Sequence, residues 1–180
     1  MNLEELRIDC AIQQKKGLHF ILASVLIWSA VFAVQLMSID INTKNFFTFC
    51  LTAPMVPLAY FISKLIKVDF TNKANPLTEL GILFSVNQML YLLIVMWIYS
   101  TNPGKMLMVL AMVFGAHLLP YGWLYKSKSY LVLSVIIPIL MLILGNLYDS
   151  TVVAGVMIVI EIIFSGLLVL ENKSMMQKKV

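Results

Sequence analysis

Residues 151–170 read TVVAGVMIVIEIIFSGLLVL, twenty residues with a single ionisable side chain, Glu161, near the middle. A helix rises about 1.5 Å per residue and crosses about 30 Å of hydrocarbon in about 20 apolar residues, so this stretch predicts a membrane span. It lacks the polar alternation of a barrel strand. Working outward, five further runs of this kind occur, at 17–37, 45–66, 77–99, 105–125 and 130–147. The breaks at 38–42, 69–76, 100–104, 126–129 and 146–150 carry loop chemistry rich in Ser, Asn, Asp, Lys, Gly and Pro. Only Tyr148, Asp149 and Ser150 part the last two runs, which predicts an antiparallel helical hairpin there.

The whole composition agrees with that stretch. Hydrophobic residues make up 61% of the 180-residue chain and charged residues 12%, with a mean hydropathy of +0.91. Soluble domains run at about 45–50% apolar and about 25% charged. So few charges would leave most of a soluble surface apolar, which excludes a water-soluble domain, and disorder falls with it. Two cysteines, Cys10 and Cys50, exclude a disulfide-stapled miniprotein. The expected class is all-α: a polytopic transmembrane bundle of six spans within residues 17–170, with an arm at 1–16, a basic tail at 171–180 and the lipid bilayer as its partner.

Basic residues set the orientation. Arg7, Lys15, Lys16, Lys64, Lys67, Lys73, Lys126, Lys128, Lys173, Lys178 and Lys179 fall on one side of a six-span chain, and only Lys44 and Lys105 on the other. Both termini are therefore expected in the cytoplasm, with the chain in the plasma membrane. The net charge of +4 is an orientation signal and a contact for anionic headgroups. Without an aromatic-interleaved basic patch it does not point to nucleic acid. In the arm, Asn2 and Glu5 have capping-box spacing and Leu3, Leu6, Ile8 and Ile12 are free to touch membrane or bundle, which reads as an interfacial anchor. Most of the twelve methionines lie in apolar runs, where Met fills gaps and is no sign of soft-metal transport. Ala111 with Gly115, and Ser150 with Ala154, have the spacing of close helix contacts, within one chain or in a homo-oligomer.

Polar groups in hydrocarbon are costly and so mark function. Glu161 lies mid-span; His117 sits about 3 Å from the centre of the fourth run at helical rise, and Asn87 and Gln88 at the centre of the third. At about 100° per residue, Asn87, Gln88 and Tyr91 share one arc, and His117 and Tyr121 are i, i+4 neighbours. Pro120 removes the donor that would satisfy the carbonyl of Ala116, and Pro54, Pro57 and Pro138 free those of Cys50, Ala53 and Ser134. Such carbonyls persist where they meet water, a side chain or a ligand. Plain packing also accounts for such residues: amides join neighbouring helices, and prolines kink them. Glu161 fits packing least well, because a mid-span carboxylate must be protonated, paired or wet. Glu79 reads as a helix-start carboxylate, His19 and Gln35 as span-end residues reaching headgroups or water, and Trp28 as packing.

No zinc-protease helix motif, nucleophile elbow, phosphate-cradling glycine loop or calcium loop occurs, and two histidines cannot build a multi-histidine metal or haem site. No catalytic residue, metal or cofactor is assigned. Residues 17–99 and 105–170 show no internal repeat.

The stretches 87–97 (NQMLYLLIVMW), 114–121 (FGAHLLPY) and 123–128 (WLYKSK), with 4–9 (EELRID) and 76–81, resemble a family of small bacterial multi-pass membrane proteins catalogued as a domain of unknown function. The resemblance implies a bacterial plasma-membrane protein and brings no activity with it. The residues themselves favour a midplane polar pocket that binds or passes a small solute, coupled to a proton on Glu161. In that reading Asn87, Gln88 and Tyr91 orient the ligand, and His117 exchanges hydrogen bonds or a proton with Glu161. The alternatives are a non-catalytic accessory, sensor or immunity-type membrane partner, and an intramembrane lipid-modifying enzyme.

Overall fold

The computed structural model describes residues 2–70 and 72–177. Among these the regular structure is helical, with no strand: α1 (Leu3–Gln13), α2 (Leu18–Leu36), α3 (Ile41–Thr52), α4 (Met55–Leu65), α5 (Leu77–Thr101), α6 (Met106–His117), α7 (Leu119–Leu124), α8 (Lys128–Leu147) and α9 (Ser150–Gln177). By length and composition, five helical stretches are able to cross a membrane: Lys15–Leu36, Leu77–Thr101, Pro103–Leu124, Lys128–Leu147 and Ser150–Met175. The pair α3–α4, bent by 43°, makes a sixth when taken as one broken span. This is the expected all-α apolar bundle.

The proline positions explain two interruptions. Pro54 stands at the break between α3 and α4, and Pro57 falls in the first turn of α4, where the missing N–H breaks no helical bond. In the fourth span the helix stops at His117 and restarts at Leu119 with Pro120 in its first turn. There the Leu118 N–H turns back to the carbonyl of Gly115 (3.1 Å), and Pro120 has no N–H to serve as the i+4 donor for the carbonyl of Ala116. Pro138, by contrast, sits inside an α8 that runs without interruption.

Successive helices run up and down. At one end, here the basic end, lie α1, the start of α2, the end of α4, α7, the start of α8 and the end of α9. The opposite end holds Lys44, which donates to the carbonyl of Gln35 (2.8 Å), and Lys105, which donates to that of Gly145 (2.7 Å). α2 packs most closely on α9, and α6 on α8. The α6–α8 contact depends on missing side chains. A Cβ on Gly115 would lie 2.6 Å from Ile137 Cγ2 and 2.7 Å from Pro138 Cδ, and one on Gly145 would meet Met108. Small residues of this kind let helix backbones approach where the solvent is lipid and only packing drives association.

The capping box forms, with the Glu5 N–H donating to Asn2 Oδ1 (2.9 Å) and the Asn2 N–H to Glu5 Oε2 (3.0 Å). The arm is fastened to the bundle. Arg7 donates through Nε to the carbonyl of Trp123 (3.0 Å) and lies over its ring (4.4 Å), Lys126 pairs with Glu4, and Asn75 donates to Leu6 O (2.8 Å) and Asp9 Oδ2 (2.9 Å). Burial pushes the Cys10 thiol up to about 12, with Asp9 adding to the effect.

A left-handed turn joins α1 to α2. Lys15, Lys16 and Gly17 all have positive φ (44°, 52° and 69°). Two residues other than glycine in this region represent stored strain. Four polar contacts, from the end of α4, from α8 and from α9, hold it: Lys15 Nζ to Ile66 O (2.6 Å), Lys16 Nζ to Glu171 Oε2 (2.7 Å), Tyr130 Oη to Lys16 O (3.0 Å) and Asn172 Nδ2 to Lys15 O (3.0 Å). The residues expected as a tail from 171 continue α9 as helix to Gln177, while Lys178 and Lys179 lie outside the described residues.

Candidate functional site

The apolar packing leaves a sizeable space inside the bundle. A cavity of about 290 Å³ lies between α2, the α3–α4 break, α5, α6–α7 and the start of α8. Most of its wall is apolar, from Ile21, Ile27, Trp28, Val31, Leu92, Leu110, Val113, Phe114 and others. Polar contributions come from Ser24, Thr52, Ser85, Gln88, His117, Tyr121, Tyr125 and Tyr130, and no Lys, Arg, Asp or Glu among the described residues lines it.

Each wall follows from local sequence. The break before Pro120 places His117 at the end of α6, with its ring edge-on to Phe114 (5.3 Å) and Tyr121 (6.1 Å). Tyr121, Tyr125 and Tyr130 cluster with centroids 5.9 to 6.1 Å apart. Their hydroxyls are already hydrogen-bonded within the protein. Tyr121 shares a hydrogen bond with Ser85 (2.6 Å) and donates to Gly81 O (3.1 Å), Tyr125 donates to Gln14 Oε1 (2.6 Å), and Tyr130 donates to Lys16 O (3.0 Å). The three rings thus form a wall whose polar edges are tied to the basic end. Gly17 is required beside them: a Cβ there would lie 3.0 Å from Tyr130 Oη and 3.1 Å from Tyr125 Cε2.

Two buried atoms of lining residues, His117 Nδ1 and Ser24 Oγ, have no hydrogen-bond partner among the described residues, and the Ser24 hydroxyl lies beside Glu161. Both atoms are sealed from the cavity space itself, so the polar surface the cavity offers comes from the other polar atoms of its lining. Glu161 on α9 is fully buried, and neither carboxyl oxygen is hydrogen-bonded among the described residues. It does not line the cavity. Its polar neighbours include Ser24, which does, and Tyr130, so Glu161 stands one layer behind the wall.

The residues singled out from the sequence therefore separate. His117, Tyr121 and Gln88 line the cavity, and Glu161 backs it. Asn87 and Tyr91 are exposed on the outer face of α5 and pair with each other (Nδ2 to Oη, 2.8 Å). The arc shared by Asn87, Gln88 and Tyr91 thus straddles the edge of α5, and only Gln88 falls on the inner side. Pro54 and Pro120 sit at the two helix breaks beside the cavity, and Pro138 packs against Gly115. Trp28 is packing, edge-on to Phe114 (6.3 Å).

Two span-end assignments are corrected. His19 is buried between Phe20 (4.6 Å) and Phe70 (5.3 Å), because the loop after α4 folds over it. Gln35 is buried against Thr48 (3.4 Å), because α3 turns back over the end of α2. Ser24, Ser85, Tyr125 and Tyr130 are wall residues that sequence reasoning did not pick out. A lone serine in an apolar helix carries little signal, and the tyrosines read as interfacial.

A smaller cavity of about 40 Å³ adjoins the first and shares Phe20, Ser85, Tyr121 and Tyr125 with it. Its further wall holds Gln14, His19 and Thr78, with Gln14 Nε2 donating to Thr78 Oγ1 (3.3 Å). No group of three or more His, Cys, Asp or Glu among the described residues is placed to hold a metal ion. The wall is suited to neutral hydrogen bonding.

No curated protein and no solved structure matches the chain. The family of unknown function DUF7010 matches residues 3–171, and the chain belongs to that family.

Proposed function

We propose that this membrane protein binds a small uncharged solute in the cavity walled by α2, α5, α6–α7 and α8. The observation that carries the reading is the cavity itself, an otherwise apolar space whose wall includes the side chains of Ser24, Thr52, Gln88 and His117. At about 290 Å³ the space is near the lower end of the about 300–1,000 Å³ typical of small-molecule sites. A charged solute would meet no counter-charge on the wall, and burying it would be heavily opposed. Glu161 lies behind Ser24, so a proton gained or lost there changes the field on that wall, which is the route by which occupancy couples to protonation. The orientation that fits places the basic end in the cytoplasm and the chain in the cytoplasmic membrane.

The test is a thermal-stability screen of the purified protein against neutral organic solutes. A binding solute raises Tm saturably, and the gain disappears in His117→Phe, which keeps the ring and removes the hydrogen-bonding nitrogens. A solute that stabilises wild type and His117→Phe equally binds elsewhere and removes the assignment.

A further inference from the structure

The same cavity has a side entrance. Ala53, Val56 and Met89 line it and are also exposed on the outer surface, the first two at the α3–α4 break and the third on α5. α4 packs on α2 and α5 packs on α6, while α4 and α5 scarcely touch. Toward the opposite end the gap closes, because Phe49 meets Tyr99 edge-on (5.9 Å) and the Tyr99 hydroxyl donates to Asn42 O (3.3 Å). The result is a wedge that opens beside Pro54. Val56 and Met89 lie near the middle of their apolar runs, so the opening stands at the depth of lipid acyl chains.

We propose that the ligand enters from the lipid phase through the α4–α5 opening and is a neutral amphiphile, an apolar body carrying one hydroxyl or carbonyl oxygen. This rests on the cavity reading above and adds the route and the ligand class. Three observations point the same way. The mouth is built of Ala53, Val56 and Met89, with no charged side chain. The interior wall is mostly apolar, which fits a hydrocarbon body. The few polar side chains of the lining whose polar groups are not part of the tyrosine cluster, Gln88 and His117 foremost, offer one small polar anchor, enough for a single oxygen. The bend at Pro54 has a role here: a straight helix from 41 to 65 would keep α4 in line with α3, whose Phe49 already touches α5, whereas the 43° turn carries α4 off toward α2.

Trp28 reports on occupancy, since it lines the cavity and is only 4% exposed, whereas Trp97 and Trp123 are 63% and 43% exposed on the surface. The experiment uses the protein in vesicles of zwitterionic lipid with Trp97→Phe and Trp123→Phe, leaving Trp28 as the fluorophore. A bromine-bearing medium-chain alcohol dissolved in the bilayer should quench Trp28 saturably, and the unbrominated alcohol should relieve the quenching. Acrylamide in the water should leave Trp28 emission nearly unchanged. Narrowing the mouth with Val56→Phe or Met89→Phe should slow the onset of quenching about tenfold, as for an entry step that needs a rarer opening. An onset unaltered in both variants overturns the entrance, and quenching by acrylamide matching that by the alcohol overturns the lipid route; in both cases the cavity stands. The absence of any saturable quenching overturns the cavity reading itself. If the double Trp variant does not fold, wild-type protein gives the same decision. Collisional quenching of Trp97 and Trp123 rises with alcohol without saturating, so the saturable, competable component belongs to Trp28.

Discussion

Adding one methyl group at Gly115 should destabilise the bundle more than any other single-methyl change in α6. The new Cβ would lie 2.6 and 2.7 Å from Cγ2 and Cβ of Ile137 and 2.7 Å from Cδ of Pro138. Carbon atoms rest at about 3.5–4.0 Å, so relief needs a movement of about 1 Å. Neither neighbour can swing aside: one is a β-branched side chain and the other a ring closed on its own backbone. The movement therefore falls on the α6–α8 spacing. Overpacking of this kind costs about 1–3 kcal/mol. Gly115→Ala gains up to about 1 kcal/mol in helix propensity, which lowers the net loss. For a chain of this length each kcal/mol lost lowers Tm by roughly 2–4 °C, so the expected drop is several degrees. Gly166→Ala is the control, because nothing lies within 4 Å of its Cβ position and the same propensity gain should leave stability unchanged or raised. The assay is thermal unfolding of both variants in one mild detergent, followed by tryptophan emission. A Gly115→Ala protein as stable as Gly166→Ala would refute the close α6–α8 contact, and with it the position of the cavity wall that α6 carries.

Other consequences follow from the basic end and the arm. Lys16→Met should cost about 3 kcal/mol, since it leaves Glu171 with only neutral serine partners among the described residues, Ser129 and Ser127, and removes the tie across the left-handed turn, and Lys16→Arg should recover part of that in an unfolding titration. Cys10, with its thiol pushed up to about 12, presents roughly 10⁻⁴ thiolate at pH 8 and should stay unlabelled by maleimide until the protein is denatured. The Asp40 carboxyl is held below its ordinary value by the hydroxyl and N–H of Thr43 at the start of α3. Its contribution is therefore fully present above the ordinary carboxylate range and lost as pH falls through the lower folded-state value. Hydrogen exchange at the Thr43 amide should accelerate there in wild type and show no such step in Asp40→Asn.

The spans, their order and two of their breaks were legible because each depends on local chemistry. Six apolar runs of the right length, Pro54 and Pro120, and the short link after Leu147 all act through the backbone where they stand. The rotation of each helix was not legible. α5 is apolar nearly all round, and lipid-facing side chains are as apolar as buried ones, so nothing in 77–99 says which face turns inward. Asn87 and Gln88, adjacent in sequence, accordingly fall on opposite sides of the wall. Burial by tertiary covering was equally hidden: Phe70 over His19, Thr48 over Gln35, and Glu171 over Lys16 are contacts between distant segments. Glu161 was conspicuous because charge is scarce in this chain, whereas Ser24, which links it to the cavity, resembles any small residue in a span.

Light-driven crosslinking tests the central claim most directly. A medium-chain neutral alcohol carrying a diazirine on its chain is dissolved in vesicles containing the wild-type protein, irradiated, and the labelled residues are mapped by mass spectrometry. Labelling concentrated on cavity-wall residues such as Trp28, Leu92, Val113 and Phe114, and suppressed by excess unlabelled alcohol, is the predicted result. Labelling confined to outward residues of α5, α8 and α9, with no competition, would contradict it.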